Sequence, residues 1–553
     1  MFFNCHNHTM YSNLRLLDCI IKPQDLIDRA IQLGLSGIAI TDHEALSAHM
    51  EVNKYAKKIR ETHPDFTIAL GNEIYLTETR DKNQPYYHFI LIAKDAIGHK
   101  ALRELSSIAW YNSYFDRGME RVPLLKSELQ EVMKKYKGHV MATTACMGGE
   151  LSKRIVEYHI AKEMNDPRIE TIGNEIKRFI DFCKNVFGDY DFYLECAPSS
   201  NKDQILVNQY LLDVANKFHI QLVAGTDYHY LSEETRFAHK AYLNSKGGER
   251  EVDSFYEFAR LMSEEEAKTL LNLSFENWVV DEIFRTTEIM RASVQWYSLE
   301  KPQQIPEVKV PKRTMLGWAI PNTLPNLFRI NMEGNEQEQH WLDCCMNGLI
   351  QHGILEDTLL DTYMERLEVE ADVINYIGNR LGTCLFAYFN TFRHYIDMFW
   401  DAGSIVGPGR GSATGFLSNY LLGITQLDPI RWNLPYWRFL NKERAELPDI
   451  DIDLAPSKRP DIFMRIREER GELGLIQVAT FGTEGSKSAV LTACRGYRRF
   501  DEDGIEMFPD GIDVDVAQYI TSLIPQERGF LWSIKEVVYG DKEKGTCCVL
   551  YAH

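Results

Sequence analysis

Short apolar runs alternate with amphipathic stretches through the first 240 residues. The runs Phe2–Cys5, Gly37–Ile40, Thr67–Leu70, His88–Ile92, His139–Ala142, Phe192–Glu195 and Gln221–Ala224 predict strands. Between them apolar positions recur at helical spacing, as in Pro23–Leu33, which opens on proline, and in Ser47–Thr62. Strands alternating with helices predict a parallel sheet. Seven repeats without a dinucleotide fingerprint favour a barrel over an open doubly wound sheet.

From Ser232 to about Trp296 the pattern becomes helical and charged, with Glu264–Glu266 opening one helix. Lys301–Arg313 carries three prolines and no helical period, which predicts a linker or an extended strip. Amphipathic helices are predicted over Glu336–His352 and Thr362–Gly378, then an aromatic-rich helix over Phe386–Ala402 whose rings read as core. A Gly-rich turn follows, VGPGRGSATG (Val406–Gly415). The stretch LPDIDIDL (Leu447–Leu454) alternates Asp449, Asp451 and Asp453 with Ile450 and Ile452. In a strand that would put three carboxylates on one face and the isoleucines on the other. The domain boundaries that result are 1–240 for the barrel, 241–313 for a helical connection and linker, 314–480 for a second domain, and 481–553 for a further segment.

Composition changes this picture little. A chain of 553 residues, 44% hydrophobic, is long enough for several cores. It shows neither an 18-residue apolar run nor an N-terminal signal pattern, so the expectation is a cytoplasmic protein without a membrane partner. Eleven cysteines without a CxxC pair fit a reducing compartment. The net charge of −19 argues against indiscriminate nucleic-acid binding but leaves room for a local basic groove.

The candidate chemistry lies at two places. His6, His8, Asp18, His43, Glu73, His88, Cys146, Asp227 and His229 sit at or just beyond the predicted strands. Barrel strands gather such positions at one rim, and a mixture of imidazole, carboxylate and thiolate suits zinc, manganese or iron better than magnesium. The other histidines (His49, His63, His99, His159, His219 and His239) fall in helices or loops and read as surface. Around Asp449 and Asp451, neighbouring like charges would be costly without cations, and a pair of Mg2+ ions would relieve them. A solvated edge strand is the plain alternative.

The motifs GPGRGSATG, RFLNKER and PDIDIDL, in that order, resemble the palm of bacterial C-family replicative DNA polymerases, and Arg366–Glu368 resembles the RLE stretch that precedes it. The nine N-terminal residues resemble the metal site of the PHP (polymerase and histidinol phosphatase) domain that opens those enzymes. The resemblance implies an α/β protein: a distorted seven-stranded (β/α) PHP barrel, then a polymerase β-like nucleotidyltransferase palm and a helical thumb segment. It implies Zn2+ or Mn2+ in a trinuclear barrel site with all nine positions filled, although the spacing from His8 to Asp18 is longer than the family's. The implied activity there is metal-dependent phosphoester hydrolysis, as in a 3′→5′ exonuclease.

In the palm, the resemblance gives Mg2+ to Asp449 and Asp451, with Asp453 in support. Gly411, Ser412 and Arg438 would meet the triphosphate, and Arg410 and Arg444 would either do the same or pair with the carboxylate row. QVATFGTEGSKSAV (Gln477–Val490) resembles the entry to the thumb, where Lys487 and Arg495 would reach DNA phosphates. The basic stretch Lys458–Arg470 would lie near DNA or pair with its own acids. Partners implied are a primer-template and deoxynucleoside triphosphates.

The resemblance ends near Lys544, family chains are considerably longer, and Gly545–His553 matches nothing expected there. The expectation is therefore the N-terminal portion of a replicative polymerase that does not polymerise alone and needs a complementing C-terminal chain. The alternatives are a stand-alone PHP phosphoesterase using the palm remnant as a nucleic-acid platform, and an inert remnant.

Overall fold

The computed structural model describes residues 2–14, 18–116, 119–245, 256–302, 304–314, 317–499, 507–508 and 510–524. The chain divides into two units, 1–301 together with 482 onward, and 302–481.

The first unit is built on strands β1 (Phe3–Asn4), β2 (Gly37–Ile40), β3 (Thr67–Thr77), β4 (Tyr87–Ala93), β5 (Tyr114–Asp116), β6 (Met119–Arg121), β7 (Pro123–Leu125), β8 (Val140–Thr143), β9 (Phe192–Cys196) and β10 (Gln221–Ala224). The main sheet runs β1-β2-β3-β4-β8-β9-β10, with β7 beside β3 and a separate β5–β6 hairpin. Each of the seven predicted runs supplies one strand of that path. Past the ends of β1 and β10, Asn7 bridges Tyr228, and the His8 amide donates to the Tyr228 carbonyl at 3.1 Å, which closes the ring.

The sheet is not uniformly parallel: β4 runs antiparallel to both β3 and β8. Residues 78–86 between β3 and β4 contain no helix, so the chain reverses directly, whereas a parallel return needs a crossover of about a dozen residues or more. β4 therefore offers its first residues to the rim where its parallel neighbours offer their last.

Side chains alternate across the barrel wall. Ala39, Ala69, Ile90, Ile92, Met141 and Val223 fill the interior, while Ile38, Ile40, Phe89 and Leu91 pack outward in the larger core beneath the helices. Residues beyond 240 belong to this unit as well. Helix Asn277–Ala292 lies against β1 and β10, its Phe284 ring sits 4.9 Å from Phe2, and Met290 joins the interior cluster. Helix Ser486–Gly496 packs on helix Glu233–Asn244. A Cβ on Gly496 would stand 1.6 Å from the Ala241 carbonyl oxygen, so only glycine permits that approach.

The second unit packs helices Pro325–Glu333, Glu336–Gln351, Leu360–Leu381 and Leu385–Asp401 around Trp341, Tyr363, Phe386, Phe389 and Phe416. Residues 304–314, the expected linker, form neither helix nor strand. Thr391 donates to the Pro306 carbonyl at 2.6 Å, and Arg313 pairs with Asp343. Residues 447–453 join no strand ladder, so the predicted strand is absent as such. Among the described residues the segment's single bridge joins Leu454 to Val406, with the Gly407 amide donating to the Asp453 carbonyl at 2.9 Å. The alternation nonetheless holds: Ile450 is buried while Asp449, Asp451 and Asp453 are exposed.

None of the nine described cysteines forms a disulfide, and Cys547 and Cys548, with the rest of Gly545–His553, lie outside the described residues. Among the described residues no helix is long and apolar enough to cross a membrane.

Candidate metal centre

All nine predicted barrel residues meet at one rim. His6 and His8 follow β1, His43 follows β2, Glu73 lies within the long β3, His88 begins β4, Cys146 follows β8, and Asp227 and His229 follow β10. Glu73 sits at the centre. Its carboxylate lies 3.2 Å from His8 Nε2, 2.7 Å from His43 Nδ1 and 2.5 Å from His88 Nδ1. Asp227 Oδ1 is 3.0 Å from His8 Nε2 and 3.4 Å from His6 Nε2. Asp18, despite its long spacing from His8, reaches His43 Nε2 at 3.1 Å and His229 Nε2 at 3.4 Å. Cys146 Sγ is 3.6 Å from His88 Nδ1.

This donor set fits cations. His6 Nε2 and His8 Nε2 face each other at 3.1 Å, so two lone pairs converge on one point beside two carboxylates. Glu73 and Asp18 are buried, and Asp227 nearly so, with oxygens 2.5–3.4 Å from imidazole nitrogens, an arrangement costly for anions unless positive charge, on the imidazoles or on a cation, sits among them. Three sets of donor atoms lie close enough to share an ion: His8, His43 and His229; His6, His8 and Glu73; Glu73, His88 and Cys146.

The electrostatics agree. Burial alone would keep His6 and His43 neutral. Glu195 and Asp227 around His6, and Glu73 and Asp18 around His43, outweigh it and hold both imidazoles well above their usual range. Burial likewise opposes the charges of Glu73 and Asp18, yet His88 and His43 hold Glu73, and His43 and His229 hold Asp18, well below the carboxylate range. Burial, then Asp227 and Glu73, push the Cys146 thiol up, so it becomes a thiolate donor only when a cation replaces its proton.

A second layer of polar groups orients these side chains. Glu195, at the end of β9, accepts from His6 Nδ1 at 2.7 Å and from the Thr143 hydroxyl, which turns His6 Nε2 inward. Ser12 Oγ contacts His8 Nδ1 at 3.0 Å and donates to Asp42 at 2.8 Å. His229 Nδ1 faces the Asp227 carbonyl oxygen at 2.9 Å. His239 Nε2 meets the Asp18 carbonyl oxygen at 2.5 Å. Backbone strain gathers here too. Glu44, Ala145 and Asp227 are three of the six non-glycine residues with positive φ among the described residues, and each adjoins or belongs to the cluster. Gly148 is needed on steric grounds, since a Cβ there would lie 2.8 Å from the His88 ring.

In the second unit, Gly411–Gly415 forms a tight turn with Gly411 at φ +55°, and the Ser412 side chain is half-buried. Arg410 Nη1 reaches Asp453 Oδ1 at 3.2 Å, an exposed pair, whereas Arg444 pairs with Glu446 at 2.6 Å and not with the acidic row. Arg438 is exposed on the turn Tyr436–Arg438. The turn is held from behind. Arg366 donates to the carbonyls of Gly415 and Leu434 at 3.2 and 2.5 Å, and Glu370 accepts from the amides of Leu417 and Ser418 at 2.6 and 2.8 Å. In the first unit, Lys487 is half-buried and Arg495 exposed on helix Ser486–Gly496.

Comparison with known proteins bears on both units. The PHP domain family profile matches residues 4–199, and that of the bacterial DNA polymerase III alpha NTPase domain matches residues 339–547. The chain is therefore similar to bacterial DNA polymerase III α proteins, with a PHP-domain match in its N-terminal part. It is 36% identical over 562 residues to "Probable DNA polymerase YorL" of Bacillus subtilis (strain 168), covering 98% of this chain and 42% of that protein. It is 28% identical over 549 residues to the DNA polymerase III subunit alpha of Aquifex aeolicus (strain VF5), covering 95% of this chain and 41% of that protein. The chain spans about two fifths of the length of these relatives. Among solved structures it is similar to a putative metal-dependent phosphoesterase from Bifidobacterium adolescentis, with 14% identity, 50% of this chain and 96% of that chain covered, and a TM-score of 0.27.

The expectation that the remaining histidines lie on the surface fails for three of the six, all in the first unit. His49, His99 and His239 are buried, while His63 and His219 are exposed and His159 is half-buried. His49 shares one helix face with Val52, Asn53, Ala56 and Ile59, so the helical period of its neighbours already carried the signal. Sequence reasoning also missed Glu195, Ser12, Asp42 and His239. Of these Glu195 was the most findable, as an acid inside the otherwise apolar run Phe192–Cys196.

Proposed function

We propose that the PHP domain hydrolyses phosphoesters with Zn2+ or Mn2+, acting on nucleic-acid 3′ ends, and that the 406–454 region is the nucleotide-handling part of a polymerase palm. The first reading is carried by the convergence of nine donor side chains, three of them carboxylates largely buried and crowded among imidazole nitrogens. His6, His8, Asp18, His43, Glu73, His88, Cys146, Asp227 and His229 would hold up to three cations, with Glu73 shared between groups. Bound cations supply Lewis-acid polarisation of a phosphoryl oxygen and a nucleophile at neutral pH. The protein's own part is positional: Glu195 keeps His6 Nε2 inward, His229 turns its Nε2 toward Asp18, and Cys146 gives up its proton as it becomes a donor.

The test is metal stoichiometry of the purified chain, together with release of 3′ nucleotides from a primed template. The expected result is transition-metal-dependent release that His8→Ala abolishes. A chain that binds no transition metal overturns the reading.

In the palm reading, Asp449 and Asp451, both exposed, would hold Mg2+, which neutralises phosphate charge. Gly411, Ser412 and Arg438 would face the triphosphate, and Lys487 and Arg495 the DNA backbone. Arg410 is better read as the partner of Asp453 than as a triphosphate contact. Deoxynucleotide binding measured with Mg2+, and its weakening in Asp451→Asn, tests the reading. Primer extension with and without the C-terminal part of a relative tests whether a complementing chain is required.

A further inference from the structure

A cleft of about 540 Å3 opens on the metal cluster, sharing His88, Cys146 and Asp227 with it. That volume falls within the roughly 300–1,000 Å3 of small-molecule sites and exceeds what a bare phosphate group fills. One side is polar, with Ser199 and Asn201 at the start of helix Lys202–Phe218, and another is apolar, with Met147, Pro198 and the half-buried Phe258. The cation in its lining is Lys153, set against the acids Asp203 and Asp227.

Two features of Lys153 leave it available to an anion. It is exposed, and among the described residues no carboxylate lies within ion-pair distance of it. It also sits in the first turn of helix Glu150–Glu163, where the helix dipole disfavours a positive charge. The acid of that turn, Glu150, is already engaged by Lys126 at 2.8 Å. A phosphate between Lys153 and the helix amides would satisfy both. The scissile phosphate itself would be taken up by the cluster, so this position suits a second phosphate, which a monoester lacks.

We infer that Lys153 holds the phosphate adjacent to the scissile one in single-stranded DNA, with the terminal base against Phe258 and Met147. The centre would then act on polynucleotide ends in preference to small phosphate monoesters. The inference rests on the phosphoesterase reading above and specifies its substrate.

The test compares a single-stranded oligodeoxynucleotide with p-nitrophenyl phosphate, using the full chain loaded with Zn2+ or Mn2+. Lys153→Ala should raise the oligonucleotide KM about five-fold and flatten the dependence of log kcat/KM on log salt by about 0.7, the contribution of one single-strand phosphate contact. Lys153→Arg should recover both, which a merely structural role would not predict. Phe258→Ala should raise the same KM about ten-fold through lost stacking. An unchanged salt slope in Lys153→Ala, or a wild-type preference for the monoester, overturns the inference while leaving the phosphoesterase reading intact. Hydrolysis of neither substrate by the wild-type chain overturns that reading and this one with it.

Discussion

Glu195 holds His6 from behind, and Gly225 leaves room for it to do so: a Cβ on Gly225 would lie 2.3 Å from Glu195 Oε1. Glu195→Gln weakens the acceptor that fixes His6, and the expected outcome is a loss of about 10–100-fold in metal affinity, measured by competition with a chelator. Gly225→Ala should give a loss of the same kind by displacing the same carboxylate. At this scale the donors were legible and their supports were not. The sequences HNH, TDH and DYH set chemically unusual residues beside apolar strands. Glu195, Ser12 and His239 instead sit in ordinary contexts and acquire roles only through partners far along the chain, 189 residues away for Glu195 and His6, and 221 for His239 and Asp18. No local pattern encodes such pairings.

Among elements, strand existence was readable from short apolar runs, but strand direction was not. It depends on whether a crossover helix intervenes, and residues 78–86 supply none. The acidic segment was readable as an alternation of faces and misread as a paired strand, because pairing needs a neighbour that periodicity does not reveal. Helix Leu360–Leu381 has a clearer task, since its Arg366 and Glu370 brace the Gly-rich turn. Burial pushes the Glu370 carboxyl up to about 7, against the pull of the Ser418 and Leu417 amides and Arg366. An acid whose pKa rises on folding contributes stability that is fully present below its unfolded value near 4.5 and is lost as pH climbs to about 7. The second unit should therefore resist urea better at pH 5 than at pH 7.5, and Glu370→Gln should remove that difference.

For the whole molecule, the first unit should answer acid in the opposite sense. His49 Nδ1 and His99 Nε2 lie 3.0 Å apart in its core. Burial and mutual repulsion lower His49 to about 3, and burial with Arg103 lowers His99 to about 4. Bases depressed on folding contribute stability above about 6.5 that is lost as pH falls toward 4, at about 1.4 kcal/mol per pH unit for each histidine. Urea unfolding followed separately for the two units should show their midpoints moving in opposite directions between pH 6.5 and 5, and His49→Gln should blunt the first unit's response. Removing metal should lower the first unit's Tm and leave the second unit's unchanged, because ligand binding stabilises only the part that folds around it.

The junction of β1 with the chain beyond β10 rests on the Asn7–Tyr228 bridge and the His8 amide, and the flanking residues are His6, His8, Asp227 and His229. Cations gathered there would work as a clasp across the sparsely bonded seam of the cylinder. Chelation would unbutton the wall along that line and spare the other staves, and faster deuterium uptake at the His8 amide than at Ile38 or Leu91 would be its first sign.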